Sequence, residues 1–394
     1  MRILYSHRIQ SRDGQSVHVE ELVTAFLQEG HAVLVVGPGF YAQAGFGGES
    51  RLVAWVRGHL PGALGELAEI AYAAPAAWRL WRAARRFKPD LIYERYNLFH
   101  LAGMLVARAT GTPFFLEVNS PLAQERAAFG GLALRPLAFA LERRVWQRAD
   151  RVLAVTAVLG RIIAQAGVDP ARIEVVANGI NPDHFLPPVS ATDPTPSLAA
   201  EEPVTLGFVG FVRDWHGLDG VIAGLPALPS LCLDIVGDGP ARPDLERQAQ
   251  HLGVTARVRF SGLVDHALVP TLVAGFDIAL QPKVVDYASP LKIFDYMAAG
   301  IAIVAPDQPN IREILQHEAN ALLFDPADPA AMWQAIRRLA DDGALRRRLG
   351  AAARTTLLAR NFTWRGNAAR IAALVPGQDV VDQDAMRAVG QAVS

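Results

Sequence analysis

Residues 284–309 read VVDYASPLKIFDYMAAGIAIVAPDQP and contain a predicted loop, helix and strand in that order. Ser289 suits the N-cap of the helix, and Pro290 suits its first position, where the missing backbone N–H costs nothing. The short apolar helix over 291–299 ends at Gly300, because glycine accepts the left-handed C-cap conformation. The apolar run that follows, closed by a proline, predicts a short buried strand.

The start of this helix is a predicted anion-binding site. The backbone N–H groups of Leu291 and Lys292 have no acceptor within the helix, and the Lys292 ammonium adds a full positive charge. Asp295 lies three residues after Lys292, on a neighbouring face. A nucleotide fits this pattern, with its diphosphate at the helix N-terminus and its ribose hydroxyls on the carboxylate. The alternative is an ordinary capped helix with an incidental Lys–Asp pair.

The composition of the chain predicts a globular protein with two domains. Its 394 residues are 51% hydrophobic and 20% charged, and they are too many for one typical core. A formal net charge of −1 gives no general attraction to nucleic acid, so we expect no nucleic-acid partner. Cys232 is the single cysteine, which excludes an internal disulfide and fits a reducing compartment. Because we find neither a secretory signal nor an apolar run of membrane-spanning length, we expect a cytoplasmic protein.

Polar residues follow a predicted strand over 113–118 in the first half of the chain. Glu117 and Asn119 are two residues apart at its end, so their side chains leave on the same face. Ligands of open α/β sheets lie beyond the carboxyl ends of the strands, which makes both residues candidates for a cleft. The alternative is that Glu117 forms a structural ion pair with an arginine such as Arg95 or Arg126.

Three further strings, FVGFVRDWHG, IVGDGPARPDLE and FSGLVDHALVPTLVAGFDIALQP, precede SPLKIFDYMAAGIAIVAP in the second half. In this order and spacing they resemble the retaining glycosyltransferases of family four, and the resemblance extends over nearly the whole chain. It implies an α/β protein of the GT-B fold, in which two Rossmann-like domains face each other across a cleft. The implied enzyme moves a hexose from a nucleotide diphosphate sugar, with retention at the anomeric carbon. The implied acceptor is a glycan or lipid-linked glycan of cell-surface polysaccharide synthesis.

The predicted domain boundaries combine this resemblance with the local composition. An acceptor domain over 1–185 is followed by a linker over 186–203 that is rich in proline and serine. The donor domain covers 204–360. The resemblance implies that 361–377 form a helix crossing back to the first domain, and 378–394 read as a polar tail.

The resemblance also assigns donor contacts residue by residue. Arg213 matches an arginine that binds the donor diphosphate, while a lysine usual in the same loop is missing and His216 lies nearby. Gly14 matches a glycine that lets the backbone approach the phosphates. Val264 lies in the segment after Phe260-Ser261-Gly262, whose main chain commonly contacts the base.

Two acidic positions of the family fall within the opening stretch. The second is occupied by Asp295, one methylene shorter than the usual glutamate, and the first falls on Tyr287, with Asp286 adjacent. The predicted catalytic residues are Glu117, Asn119, Arg213 and Lys292. The predicted donor-binding residues are Gly14, Arg213, Val264, Ser289, Pro290, Leu291, Lys292 and Asp295.

The positive charge of Arg213 and Lys292 is placed to stabilise a departing diphosphate without a metal. The sequence offers no Asp-x-Asp run or His/Asp cluster for a divalent ion, so we expect no metal and no organic cofactor. Two other functions suit paired α/β domains. One is a nucleotide-sugar epimerase on the same fold, and the other is a non-catalytic, two-lobed sugar-binding protein.

Aromatic and basic residues cluster in 78–88, at the end of a long predicted helix. Trp78 and Trp81 stand among four arginines, and Lys88 follows them. One interpretation is an interfacial helix that makes peripheral contact with anionic lipid on the inner face of the membrane. The alternative is an amphipathic surface helix whose C-terminal charges suit the helix dipole.

Overall fold

The computed structural model describes residues 1–9, 14–38, 62–129, 131–185 and 203–376. Within these ranges the chain forms two α/β domains, each with one six-stranded parallel sheet. The predicted tail, and the predicted linker up to residue 202, lie outside the described residues.

The first domain contains six strands and seven described helices. The strands are β1 (Arg2–Ser6), β2 (Ala32–Val36), β3 (Leu91–Arg95), β4 (Phe114–Val118), β5 (Arg151–Ala154) and β6 (Ile173–Val175). The helices are α1 (Gly14–Gln28), α2 (Gly62–Ala71), α3 (Ala73–Phe87), α4 (Ala102–Thr110), α5 (Leu122–Phe129), α6 (Arg135–Arg148) and α7 (Ala157–Gln165). The strand order is β2-β1-β3-β4-β5-β6, so the winding reverses direction beside β1.

Strand β1 shows how the sequence produces this layer structure. Its apolar side chains point to both faces of the sheet, and both faces are covered by helices, as parallel sheets require. Ile3 packs with Val19, Leu22 and Phe26 of α1, which recur at helical spacing. Leu4, on the opposite face, packs in the separate cluster that contains α3 and α4. The sheet is therefore buried between two helical layers.

The second domain repeats this architecture. Its strands are β7 (Val204–Val209), β8 (Leu231–Val236), β9 (Val258–Gly262), β10 (Ile278–Leu280), β11 (Ala302–Pro306) and β12 (Leu322–Phe324). Its helices are α8 (Leu218–Gly224), α9 (Arg242–His251), α10 (Val269–Val273), α11 (Leu291–Ala299), α12 (Pro309–Arg312), α13 (Ala331–Asp341) and α14 (Gly343–Ala359). The strand order is β12-β11-β10-β7-β8-β9, with the reversal beside β7.

The end of the chain returns to the first domain. Ile180 exchanges backbone hydrogen bonds with this segment, donating to the carbonyl of Phe362 at 3.2 Å and accepting from the N–H of Trp364 at 3.2 Å. The last helix, α15 (Trp364–Ala373), then packs against α1. Gly179 lies so close to this crossing that an added Cβ would stand 2.7 Å from the carbonyl carbon of Thr363.

Side-chain hydrogen bonds also join the two domains at the loop before α11. The Thr156 hydroxyl donates to the carbonyl of Tyr287 at 2.8 Å, and the Asn178 side-chain amide donates to the carbonyl of Ser289 at 2.6 Å. The Glu313 carboxylate accepts from the N–H of Ala157 at 2.8 Å, so a residue of the second domain caps helix α7 of the first.

Candidate donor site

Helix α11 begins one residue later than the sequence predicts. Pro290, with φ −70° and ψ 118°, occupies the N-cap, and Leu291 is the first helical residue. The predicted cap by Ser289 is wrong, because its hydroxyl oxygen instead accepts a hydrogen bond from the N–H of Asn178 at 3.3 Å. The predicted C-cap is confirmed, since Gly300 adopts the left-handed conformation with φ 71°.

A cavity of about 840 Å³ lies between α1 and the carboxyl ends of the strands of the second domain. Its size suits a nucleotide sugar. The first domain contributes Ser16, Val17, Glu20 and Glu21 of α1, and the second contributes residues from β7, β8, β10 and α11. Five of the predicted donor residues line it, namely Val264, Pro290, Leu291, Lys292 and Asp295. The others, Arg213, Ser289 and Gly14, are not among the lining residues, although Gly14 begins the helix α1 that forms one wall.

Lys292 presents its ammonium group to this cavity. Its Nζ stands 4.2 Å from the ring centroid of Phe208, and it makes no hydrogen bond or ion pair with the described residues. Burial lowers the pKa of Lys292 to about 7, against the opposing effect of Asp295. An anion bound here would favour the protonated amine, because it would supply the partner that the free protein does not.

Asp295 lies on the same wall and is electrostatically coupled to Lys292. Burial raises the pKa of Asp295 to about 7; Lys292 acts to lower it and Glu21 of α1 to raise it. The predicted Lys–Asp pair is thus present as a coupling of charges, although no ion pair within 4.0 Å joins the two among the described residues. Both side chains remain available to a ligand.

Two glycines at the strand ends form the floor of the cavity. Gly210, after β7, has φ 131°, and Gly237, after β8, has φ 134°, a region that side chains rarely adopt. A Cβ at Gly237 would stand 2.0 Å from the carbonyl oxygen of Gly210, and a Cβ at Gly210 would stand 3.3 Å from Cε of Lys292. Both glycines therefore let the backbone approach a ligand beside the Lys292 ammonium. The sequence-based prediction does not include these glycines, although a Val-Gly pair at each strand end marks them.

The loop after β7 presents a neutral histidine to the cavity in place of a cation. Nδ1 of His216 accepts from the backbone N–H of Arg213 at 3.3 Å, and the ring lines the cavity. Burial, Lys292 and Arg213, in that order, lower the pKa of His216 to about 3. The Arg213 guanidinium stacks 4.5 Å from the ring centroid of Phe211 and 5.0 Å from that of Trp215. His216 thus does not restore the missing positive charge.

The position of the family's first glutamate serves a different purpose in this chain. Tyr287 is buried, and its hydroxyl donates to Oε1 of Glu125 in the first domain at 2.5 Å. Asp286 is exposed, and neither residue lines the cavity. The hydroxyl of Tyr287 therefore joins the domains, and the donor cavity has no carboxylate from this loop.

Glu117 lies in a buried polar cluster of the first domain, which we call the Glu117 cluster. Its carboxylate accepts from four side chains: Arg95 and Asn119, each at 2.5 Å from Oε1, and Tyr93 at 2.7 Å and His18 at 3.0 Å from Oε2. Burial acts to raise the pKa of Glu117, but His18 and Arg95 outweigh it and hold the pKa well below its usual range.

The geometry of this cluster favours a positioning role for Glu117 over direct contact with a substrate. The ion pair with Arg95, which the sequence left open as an alternative, is present, whereas Arg126 pairs with Glu69 at 2.8 Å. Neither Glu117 nor Asn119 lines the donor cavity. Their catalytic roles stay predictions. No sequence pattern marks His18, which reaches Glu117 from α1 and makes an edge contact with the ring of Trp364, at 4.7 Å between ring centroids.

The described residues contain no group of three or more His, Cys, Asp and Glu side chains placed to hold a metal ion. The expectation of metal-independent chemistry stays a prediction. Positive charge at the donor cavity comes from Lys292 and Lys283, from the N-terminus of α11 and, at longer range, from Arg213.

The paired domains and the cavity at their strand ends define a class, the GT-B glycosyltransferases, and solved structures of that class have the same fold. Anabaena HepE in complex with UDP superposes with a TM-score of 0.74 at 18% identity, over 96% of this chain and 100% of that one. WaaG, a glycosyltransferase involved in lipopolysaccharide biosynthesis, gives a TM-score of 0.67 at 16% identity, over 95% and 100% of the two chains. The predicted fold is confirmed.

Family models place the chain more narrowly. The model described as Glycosyltransferase Family 4 matches residues 12–184, and the model described as Glycosyl transferases group 1 matches residues 203–342. The chain belongs to glycosyltransferase family four, as the sequence resemblance predicts.

Curated glycosyltransferases are similar in sequence to this chain over part of their own length. The lipopolysaccharide core biosynthesis glycosyltransferase LpsD of Rhizobium meliloti is 35% identical over 192 residues, which are 48% of this chain and 53% of that protein. The D-inositol 3-phosphate glycosyltransferase of Salinispora tropica is 29% identical over 306 residues, 72% of this chain and 62% of that protein. The chain thus spans between half and two thirds of the length of these relatives.

Proposed function

We propose that this protein transfers a hexose from a nucleotide diphosphate sugar to a glycan or lipid-linked glycan, with retention at the anomeric carbon, in cell-surface polysaccharide synthesis. The observation that carries the proposal is the Lys292 ammonium, which faces the cavity beside the N-terminus of α11 without a partner among the described residues. A diphosphate is the group of a nucleotide sugar that such a site stabilises.

The site is suited to the charge that develops during transfer. As the bond from the sugar to the diphosphate breaks, negative charge grows on the phosphate oxygens. Lys292 and the N-terminus of α11 line the cavity, which supports a role for both in stabilising this charge. Asp295 accepts hydrogen bonds from ribose hydroxyls, and Val264 lies where the base reaches the loop after β9.

Retention at the anomeric carbon is compatible with the absence of a free carboxylate from the loop before α11. The departing phosphate oxygen can take the proton of the acceptor hydroxyl, which removes the need for a strong protein base. The first domain then orients the acceptor. Glu117 supports this indirectly, since it fixes Arg95, Asn119 and His18 at the strand ends of that domain.

A uridine nucleotide is the first donor to test. HepE, which shares the fold, was solved with UDP and also with UDP-glucose. We suggest a thermal-shift screen of UDP-, GDP- and ADP-sugars, in which a ligand at about 100 times its Kd adds about 2.7 kcal/mol of stability. A hit is then incubated with candidate acceptors. A new glycoside supports the proposal, an isomerised nucleotide sugar identifies an epimerase, and binding without turnover identifies a sugar-binding protein.

The membrane contact that we propose for a lipid-linked acceptor rests on the exposed face of α2 and α3. Leu64, Leu67, Trp78 and Trp81 are all at least 40% exposed. The guanidinium of Arg82 stands 4.7 Å from the ring centroid of Trp78. Apolar side chains followed by arginines suit the interface of an anionic bilayer.

The carboxylates of α2 do not oppose such a contact. Glu66 is buried and accepts from the N–H groups of Ala133 and Leu134, each at 2.7 Å, while Glu69 pairs with Arg126. In the part of the chain that the structure describes, no helix combines the length and apolar character needed to cross a bilayer. We propose that the contact is peripheral and on the cytoplasmic face.

A further inference from the structure

We propose that the side-chain oxygen of Gln281 accepts a hydrogen bond from a hydroxyl group of the donor sugar and thereby contributes to the choice of that sugar. This inference rests on the proposed function and deepens it. It names the residue that distinguishes a sugar nucleotide from the nucleotide alone.

Gln281 is held rigidly at the carboxyl end of β10. Only 1% of its surface is exposed, and its backbone N–H donates to the carbonyl of Val304 at 2.9 Å. Its side-chain Nε2 donates to the carbonyl of Lys283 at 2.8 Å. That contact fixes the amide orientation, because the opposite orientation would bring two oxygens together. The side-chain oxygen must therefore point away from Lys283.

This oxygen has no hydrogen-bond partner, although the side chain lines the donor cavity. A buried carbonyl without a donor is costly, and almost all such groups in folded proteins are paired. The oxygen is itself buried from solvent, so we infer that a donor reaches it from the cavity that the side chain borders. A ligand hydroxyl group at that wall would satisfy an acceptor that is otherwise unpaired.

The strand order indicates which part of the ligand reaches Gln281. The edge of the cavity after β9 carries Val264, Val269 and Pro270, an apolar wall that suits a flat base. Next in the sheet come β8 and β7, whose glycines and the neighbouring Lys292 suit the diphosphate. Strand β10 lies on the far side of β7 from β9. Gln281 thus lies beyond the phosphates, where the sugar of a bound donor extends.

The two residues of the following loop that could also contact the sugar, Asp286 and Tyr287, do not line the cavity. Tyr287 is engaged with Glu125 of the first domain, and Asp286 is exposed outside the cavity. With neither side chain reaching the sugar, the buried acceptor on β10 is a fixed hydrogen-bonding group on that side of the cavity.

The test compares two ligands on one variant. Gln281→Met preserves length and removes the oxygen. Isothermal titration of wild type and variant with UDP, and with the UDP-sugar that stabilises the wild type most, separates nucleotide from sugar contacts; where a GDP- or ADP-sugar stabilises it more, that sugar nucleotide and GDP or ADP replace this pair. We expect the variant to bind the sugar nucleotide about 3- to 10-fold more weakly and UDP within about twofold of wild type, the range of one hydrogen bond.

The matched control is Gln308→Met, because Gln308 also has an unpartnered side-chain oxygen but lies outside the cavity. It should leave both affinities unchanged. An equal loss for UDP and the sugar nucleotide in Gln281→Met, or no loss for either, would overturn the assignment while leaving the proposed function intact. A wild-type protein that binds none of these ligands would overturn the proposed function and the assignment together.

Discussion

The Nζ of Lys292 stands over the ring of Phe208, 4.2 Å from its centroid, and makes no hydrogen bond to any residue that the structure describes. A lysine in this state gains more from a bound anion than one already paired with a carboxylate, because no existing partner is displaced. The relationship therefore makes Lys292 the most informative position for mutation.

Lys292→Ala should lower transferase activity about 100-fold or more, the usual loss on removing one electrostatic contact to a developing charge. The measurement is kcat/KM with saturating acceptor. Lys88→Ala, at an exposed lysine outside the cavity, is the matched control and should keep wild-type activity on a soluble acceptor. Wild-type turnover in Lys292→Ala would remove this residue from the mechanism.

Donor binding should weaken as the pH rises above about 7. The pKa of Lys292, lowered by burial to about 7, means that the free protein loses this positive charge on going to alkaline pH. Asp295, whose pKa burial raises to about 7, gains negative charge over the same range; the carboxylate favours the protonated amine of Lys292 and so offsets part of this loss. A bound diphosphate favours the protonated amine, so binding takes up protons and affinity falls by up to about tenfold per pH unit.

This pH dependence is best measured by titrating a sugar nucleotide. Both phosphates of its diphosphate are esterified, so the charge of the ligand stays constant from about pH 6 to about pH 9. Lys292→Met should bind weakly and show a shallower pH profile. A wild-type affinity that stays constant across this range would show that Lys292 does not face the phosphates.

Asp295→Ala should chiefly weaken nucleotide binding. A hydrogen bond to ribose is made equally in the ground and transition states, so its loss raises KM and leaves kcat close to wild type. Calorimetric titration with UDP, together with steady-state kinetics, separates the two effects. A large fall in kcat with unchanged donor affinity would contradict a ribose contact.

Glu117→Gln should destabilise the first domain as well as lower turnover. The change removes the charge that compensates Arg95 in a buried site, a loss of about 3 kcal/mol or more. Asn119→Ala deletes one donor to the same carboxylate and should lower turnover. We expect nucleotide affinity near wild type, because the proposed nucleotide contacts are on the other domain. Melting curves and donor titrations of both variants distinguish positioning from catalysis.

The sign of the pH effect provides an independent check on Glu117. Its folded-state pKa lies below its unfolded value, so it contributes stability above the unfolded pKa of about 4.3 that is lost as the pH falls. Acidification should therefore lower the melting temperature of the wild type more than that of Glu117→Gln, because the variant already lacks this contribution at neutral pH. Full turnover with earlier melting in Glu117→Gln would make the residue purely structural.

Trp78→Ala combined with Trp81→Ala should reduce binding to vesicles that contain anionic lipid, measured by co-sedimentation at low salt. Binding of the wild type should fall with added salt, since the arginine contribution is screened. The control is Leu358→Ala, an equally exposed apolar residue on α14 of the second domain. If the wild-type protein fails to sediment with anionic vesicles, the proposed membrane contact is wrong and the exposed face of α3 is an ordinary solvated helix surface.

The sequence predicts the two-domain fold because strands and helices of both halves have clear periodicity, as β1 and α1 show. It also predicts the cavity residues on α11, since a proline, a lysine and a carboxylate at fixed spacing indicate a helix N-terminus, although the predicted cap by Ser289 is wrong. The roles of Ser289 and Tyr287 do not follow from local sequence, because both residues form hydrogen bonds with the first domain, to partners more than 100 residues away in the chain.

The hydrogen-bond partners of Glu117 cannot be predicted from local sequence for the same reason. A strand-end carboxylate looks identical in sequence whether it meets solvent, substrate or a buried arginine. Its partners come from α1, β3 and the residues after β4, and only the assembled sheet brings them together. Gln281 similarly looks like an ordinary strand residue until its unpaired oxygen is seen.

The capping of α7 by Glu313 has a mechanical consequence. The segment from Tyr287 to Glu313 contains α11, β11 and α12. Its start contacts the first domain through Tyr287–Glu125 and Ser289–Asn178, and its end does so through Glu313. A rotation that parts the domains must pull on the loop that leads from Gln281 to Lys292. We therefore expect that parting the two domains and weakening the contacts to a bound donor are coupled.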